Sequence, residues 1–323
     1  MRKGSDLERT WQKVLAVSIL PLAVLSALVA ALSMMKAGMQ PAQVVLPISL
    51  AAFVLVALME RVLPWHDDWN RSEGDLRTDA LYMPTHLGVS ALLAPTVASL
   101  AVAAGGWLSE QMSGGGWPTS WPIAAQVLLA TVVREFFDYW GHRVMHSADW
   151  LWRFHATHHS VTRLYWLNGA RAHPLEIAFR FGFLGVFPLA MLGVGETVLA
   201  LTTVAALSAD AFQHANIAFR LGPLSWIYSV GDVHRWHHSC LRAEADRNYG
   251  NVYIFWDAFF GTRYLPEDRE APTEVGIDGL DAFPRGFFAQ WISPFRWSNI
   301  ERESALQIDR GTGGGSGTGL HPL

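Results

Sequence analysis

Sulfur ligands and charge are both scarce in this chain. A single cysteine, Cys240, among 323 residues leaves no partner for an intramolecular disulfide and too few thiolates for an iron–sulfur cluster or a zinc ribbon. Charged residues make up 16% of the sequence and the net charge is −4, with no basic block and no interleaving of basic and aromatic residues. That excludes a nucleic-acid surface of the kind that tracks phosphates. A G-x-G-x-x-G dinucleotide loop is missing too, so any redox chemistry takes its electrons from a separate partner. Neither an internal repeat nor a second folded domain is visible.

What is abundant is apolar. Hydrophobic residues reach 51% and the mean hydropathy is +0.19, outside the ordinary soluble range and typical of a membrane protein. Four stretches approach the ~20 residues a helix needs to cross hydrocarbon: 14–35, 44–63, 81–104 and 123–139. The fourth carries Arg134, Glu135 and Asp138 at its far end, which predicts that it leaves the bilayer there. A further apolar stretch, 177–212, has Gly193 and Gly195 near its middle and reads as a helical hairpin, spanning or re-entrant. Arg2, Lys3, Arg9 and Lys13 precede the first span, which is too long for a signal-peptide core and reads as an uncleaved anchor. Arg61, Arg71 and Arg77 follow the second span, and the loop 105–122 has no lysine or arginine, so the N-terminus is expected in the cytoplasm. Trp65, Trp69, Trp140, Trp150 and Trp152 fit an aromatic belt or, equally, packing positions. Beyond Asn251 the long apolar runs end, and this part is expected to form a cytosolic cap, followed by a flexible Gly-rich tail over 311–323. The expected fold is therefore all-α and integral to the membrane: about four transmembrane helices, an apolar helical hairpin and a cytosolic helical cap, in one domain over 1–310.

Ten of the thirteen histidines fall between His142 and His238. They form H-x-x-x-H (His142, His146) and two H-x-x-H-H runs (His155, His158, His159; His234, His237, His238), with His173 and His214 between. On a helix, residues three or four apart share a face, so each run offers two or three imidazoles together. Imidazole is a common ligand for iron, zinc and copper, and three such claws exceed what one four-coordinate ion can use. A pair of metal ions is expected. Asp138, Glu176, Asp210 and Asp232 lie near the histidines in sequence and are candidates to accept the second ring N–H. Asn248, in the run Asn248-Tyr249-Gly250, either orients a ligand or forms a turn. His66, His86 and His321 stand alone and carry no expectation of a metal role. Nitrogen ligands suit redox iron better than magnesium or calcium. Zinc is also served by histidine, but a zinc hydrolase holds one ion with three ligands and a water, leaving most of these residues unexplained.

The text around these residues resembles the membrane fatty acid hydroxylase and sterol desaturase superfamily. Matching segments are Asp138-Tyr139-Trp140-Gly141-His142-Arg143 with His146, Leu151-Trp152-Arg153-Phe154-His155 with His158 and His159, and Arg171-Ala172-His173-Pro174-Leu175-Glu176. Phe212-Gln213-His214-Ala215-Asn216 and His234-Arg235-Trp236-His237-His238 complete the set, and the similar region covers 126–261. The short first box is nearest to the branch of alkylglycerol monooxygenase and bacterial lipid hydroxylases. What the resemblance implies is a di-iron enzyme that uses O2 to oxidise a C–H bond of a membrane lipid. Its metal ligands would be His142, His146, His155, His158, His159, His234, His237 and His238, with His214 a ninth and His173 a tenth. Hydroxylation is the expected outcome; desaturation or sterol C–H oxidation on the same centre is the alternative, and a histidine-rich metal transporter or sensor a more distant one. Arg163, Arg171 and Arg235 are candidates to hold a lipid head group, or else simply pair with acids and brace the scaffold.

Overall fold

Two long apolar helices open the chain. In a computed structural model that describes residues 6–111 and 116–312, α1 (Asp6–Lys36) and α2 (Pro41–Val62) form an antiparallel hairpin. Its turn uses Gly38 at φ 97°, a left-handed conformation open to glycine without a Cβ penalty. α3 (Leu76–Gln111) and α4 (Ile123–Ser147) follow, and α5 (Asp149–His159) turns sharply off the end of α4. Next come a π-helical segment, Ile177–Leu184, a short helix Phe187–Met191, and α6 (Glu196–Asp210). Short helices and loops make up the remainder, including α7 (Asp232–His237) and the terminal α8 (Trp297–Thr312). Among the described residues there is no β-strand, only isolated bridges such as Pro64 to Ile217. The protein is all-α and carries membrane-crossing helices; the tail 313–323, with His321, lies outside the described residues.

Among the described residues, four helices are long and apolar enough to cross a membrane: Thr10–Lys36, Pro41–Val62, Leu76–Leu108 and Pro174–Met191. The first three coincide with stretches expected from sequence. The fourth falls on the first arm of the apolar stretch 177–212, which was expected as a hairpin, spanning or re-entrant. Residues 123–139 form the body of α4, which is not among these four: Ile123, Leu128 and Val132 are exposed along its first half, while Glu135 and Asp138 at its far end are fully buried and ion-pair with Arg134. The second arm of the hairpin, α6, packs against α1, α2 and α4. Leu20, Val24, Ala52 and Val56 from the first hairpin meet Ala205, Ala209 and Phe212 in one apolar cluster.

Buried acids tie the spans to the polar half of the molecule. Glu60, at the end of α2, accepts from the backbone N–H groups of Trp166 (2.7 Å) and Asn216 (2.8 Å). Asp79, in the first turn of α3, accepts from Tyr165 Oη (2.7 Å) and Arg171 Nε (2.7 Å). Each acid satisfies donors that water cannot reach, and so fixes the loops on either side of His173 and His214 against the spans.

Candidate metal centre

Three helix ends and one loop deliver the histidines. α4 presents His142 and His146 one turn apart; the last turn of α5 presents His155, His158 and His159; α7 and its terminal residue present His234, His237 and His238. His214 arrives from the loop after α6. These nine side chains are buried and sort into two groups. His142, His146, His155, His159 and His237 form one; His158, His214, His234 and His238 form the other; within each, the candidate ligand atoms lie within 4.8 Å of one another. His173 belongs to neither. Its Nδ1 accepts from the Leu175 backbone N–H (3.1 Å) at the start of a helical turn, and its Nε2 lies 3.0 Å from the Trp291 carbonyl.

The hydrogen bonds test whether these groups suit a cation. His142 Nδ1 lies 2.7 Å from the Tyr249 carbonyl and His155 Nδ1 lies 2.8 Å from the Glu176 carboxylate. The Tyr249 carbonyl can only accept, so His142 Nδ1 carries the proton and its Nε2 a lone pair; His155 takes the same form when Glu176 is ionised. With both rings in that form their Nε2 atoms face each other at 2.9 Å, an approach that a shared cation relieves. The second group repeats the pattern. His158 Nδ1 donates to the Arg171 carbonyl (3.0 Å) and His214 Nδ1 to Asn168 Oδ1 (2.9 Å), leaving their Nε2 atoms 3.3 Å apart. Nε2 of His146, His159 and His237 is buried with no protein partner at all. A buried imidazole nitrogen without a partner is costly, and convergence of several is accounted for by a metal ion. The residues fit the group.

Burial also sets the protonation state. Loss of water pushes His142, His146, His155, His158, His159, His234 and His238 well below the usual 6.5, with neighbouring positive charge adding to the effect. His214 and His237 are pushed down to about 3 by the same burial. All nine are neutral at physiological pH, the form a metal requires.

Of the five groups expected to orient ligands, Glu176 alone touches a metal-site histidine. Asp138 faces Arg134 (3.3 Å) and Arg180 (3.5 Å). Asp210 Oδ1 accepts from Asn251 Nδ2 (3.3 Å), and Asp232 pairs with Arg235 on its own helix. Asn248 sits at φ 53° and braces a turn, donating to the carbonyls of Val233 (2.8 Å) and Tyr264 (2.7 Å) and accepting from the Tyr264 N–H (2.7 Å). The turn holds up Tyr249, whose backbone N–H is fixed in turn by Asp257 (2.8 Å). Two orienting groups were missed. Asp246 lies 3.0 Å from His146 Nδ1, and Asn168 holds His214. An acid between the last box and Asn248 was a signal for the first; Asn168 had none. Burial would raise the Asp246 carboxyl, but bonds from His146 and Arg242 hold it below its usual value.

The three arginines meet different fates. Arg163 is bound twice by Asp75 (2.7 and 2.9 Å), and Arg235 is buried against Asp232, the Ile217 carbonyl (2.7 Å) and the Trp65 ring. Both brace the scaffold. Arg171 pairs with Asp79 yet also lines a cavity.

The sequence profile of the fatty acid hydroxylase family matches residues 127–262, which contain every histidine of the two groups. The chain is 37% identical over 248 residues to the ornithine lipid hydroxylase OlsE of Rhizobium tropici, covering 76% of this chain and 74% of that protein. It is 32% identical over 147 residues to methylsterol monooxygenase 2-2 of Arabidopsis thaliana, covering 44% of this chain and 54% of that one. Similarity to the human alkylglycerol monooxygenase is 30% over 174 residues, covering 54% and 36%. No solved structure matches at a significant level.

Proposed function

Because the chain belongs to the fatty acid hydroxylase family and is an oxidoreductase of that kind, we propose that it is a membrane-lipid monooxygenase working with two iron ions, O2 and a separate electron-transfer protein. The single observation that carries the reading is the pair of buried histidine groups, in each of which the ring nitrogens converge within 4.8 Å of one another. Iron held there would supply O2 activation, and the balanced reaction turns R–H, O2, two electrons and two protons into R–OH and water. The chain's own part is to position and to protect. Nδ1 of His142, His146, His155, His158, His214 and His237 each has an oxygen partner, which keeps the ring turned inward and Nε2 free to bind. Burial of all nine rings excludes bulk water from the oxidising centre. The spans bring a lipid alongside without a passage through water.

The N-terminus and the histidine centre are proposed to face the cytoplasm, on the charge distribution of the connecting loops, where reducing partners are available. Hydroxylation is preferred to desaturation because the relative matched over most of both chains is named an ornithine lipid hydroxylase and others are named monooxygenases, alkylglycerol among them, beside aldehyde decarbonylases. Comparative lipid mass spectrometry of cells with and without the protein decides the matter. A product heavier by one oxygen atom supports the proposal; loss of two hydrogens establishes desaturation; an unchanged lipid profile overturns it.

A further inference from the structure

Between the start of α3 and the end of α5 lies a cavity of about 70 Å³ lined by Glu73, Asp75, Ser160, Thr162, Arg171 and Arg285. It adjoins the histidines directly. Ser160 follows His159 at the end of α5, and the Arg171 carbonyl receives His158 Nδ1 at 3.0 Å.

The lining is polar and mixed in sign, and only part of it is used by the fold. Asp75 is taken by Arg163, and Arg171 Nε by Asp79. Thr162 Oγ1 donates to Glu73 Oε2 at 2.6 Å, while Arg171 Nη1 reaches Ser160 Oγ only at 3.4 Å. Among the described residues, Glu73 Oε1 and the exposed Arg285 guanidinium have no side-chain partner. One free carboxylate oxygen and one free guanidinium therefore share a small cavity beside the metal site. A purely anionic group would meet Glu73 and Asp75, and a purely cationic one would meet Arg171 and Arg285. A group bearing both charges meets both sets.

We propose that this cavity seats a zwitterionic lipid head group, with Glu73 taking its ammonium and Arg285, with Arg171 Nη1, taking its anionic oxygens. The proposal rests on the lipid monooxygenase reading and names the substrate class for it.

The test uses the full chain in detergent, metal-loaded and without reductant, so that binding is read apart from turnover. Four lipids with identical acyl chains are compared by native mass spectrometry: ammonium-plus-carboxylate, phosphoethanolamine, phosphoglycerol and unsubstituted diacylglycerol heads. Both zwitterions should be retained about tenfold more tightly than the other two, the scale of one charge-assisted hydrogen bond. Arg285→Gln, on an exposed residue, should lose that preference at an unchanged melting temperature, and Glu73→Gln should bring phosphoglycerol level with the zwitterions. Equal retention of all four lipids, or no effect of either variant, would overturn the proposal. Displacement by an equal concentration of free head group lacking acyl chains would overturn the assignment to a lipid. Adding reductant afterwards separates the two claims: a zwitterion retained but not oxidised counts against the monooxygenase reading and leaves the seat standing. Oxidation with no head-group preference does the reverse.

Discussion

The membrane half and the histidine half of this molecule are packed by opposite rules. In the spans the outward residues are the greasy ones: Val54 is 60% exposed and Leu92 77%, while small residues such as Ala27, Ala31 and Ala52 lie inside. In the other half the interior is polar, and the nine histidines, Arg235 and Asp79 are all buried. Each half suits its solvent. Lipid tails give little reward for burying leucine, so alanines sit among Leu20, Val24 and Val56 where the helices approach closely. Below the spans, buried polar groups persist on hydrogen bonds and ion pairs, and the Nε2 atoms of His146, His159 and His237, which those bonds leave unsatisfied, are what a metal can satisfy.

The largest expected effect breaks the second rule at its centre. His158→Ala and His237→Ala, one from each group, should abolish metal binding and lipid oxidation together, as read by metal analysis of the purified protein and product mass spectrometry. His66→Ala, in neither group, should leave both intact. Loss of metal from one variant and not the other would show that the two groups load independently. Next in size are the groups that hold the rings. Glu176→Gln and Asp246→Asn should each lower metal affinity or turnover by about 10- to 100-fold while the protein still folds. Asp210→Asn, which reaches no metal-site histidine, should not.

Acid attacks the same rule more gradually. Folding holds the histidines neutral, with His214 and His237 near 3 against an ordinary 6.5. Below 6.5 the unfolded chain takes up protons that the folded chain refuses, so stability is full above that value and falls as pH drops from 6.5 toward 3. Bound metal should be lost over the same window, since protons compete for the same nitrogens. Melting temperature and metal content measured together across that range check both; a flat response would mean that the rings are not the groups that titrate.

These predictions draw on what the sequence made legible and on what it did not. The three claws were readable because helical spacing alone puts His142 with His146, and His234 with His237 and His238, on one face. Two groups were likewise foreseeable from the surplus of ligands. Tertiary pairing was not. Asp138 sits one turn before His142 yet turns to Arg134 and Arg180, since two buried guanidiniums need a counter-charge. Asn168 reaches His214 across 46 residues, a bond with no local signature. Apolar composition described α4 correctly and the charges at its far end were legible, but the ion pairs that bury Glu135 and Asp138 close only when the chain is folded.

A charge introduced on each half sharpens the contrast. Val54→Arg, on the lipid side of α2, should oppose membrane insertion by about 2.5–3.5 kcal/mol, whereas Glu267→Arg on the exposed surface of the polar half should stay within about 0.5 kcal/mol. Insertion measured by glycosylation mapping or protease protection separates them. Equal tolerance of both would mean that α2 faces protein or water at Val54.

The smallest effect belongs to His173, the residue that looks most like a ligand and is placed as none. Its ring caps a helical turn through Leu175 and meets the Trp291 carbonyl, so both nitrogens are already in use. His173→Ala should therefore keep its metal, with a stability loss of about 1 kcal/mol from the missing cap. His173→Asn, which retains an acceptor for the Leu175 N–H, should recover part of that loss. A ligand would behave otherwise, because asparagine offers no imidazole nitrogen and metal content would fall in both variants. Metal analysis on the pair thus decides whether proximity in sequence to the boxes reflects membership of the site or only the path of the chain between them.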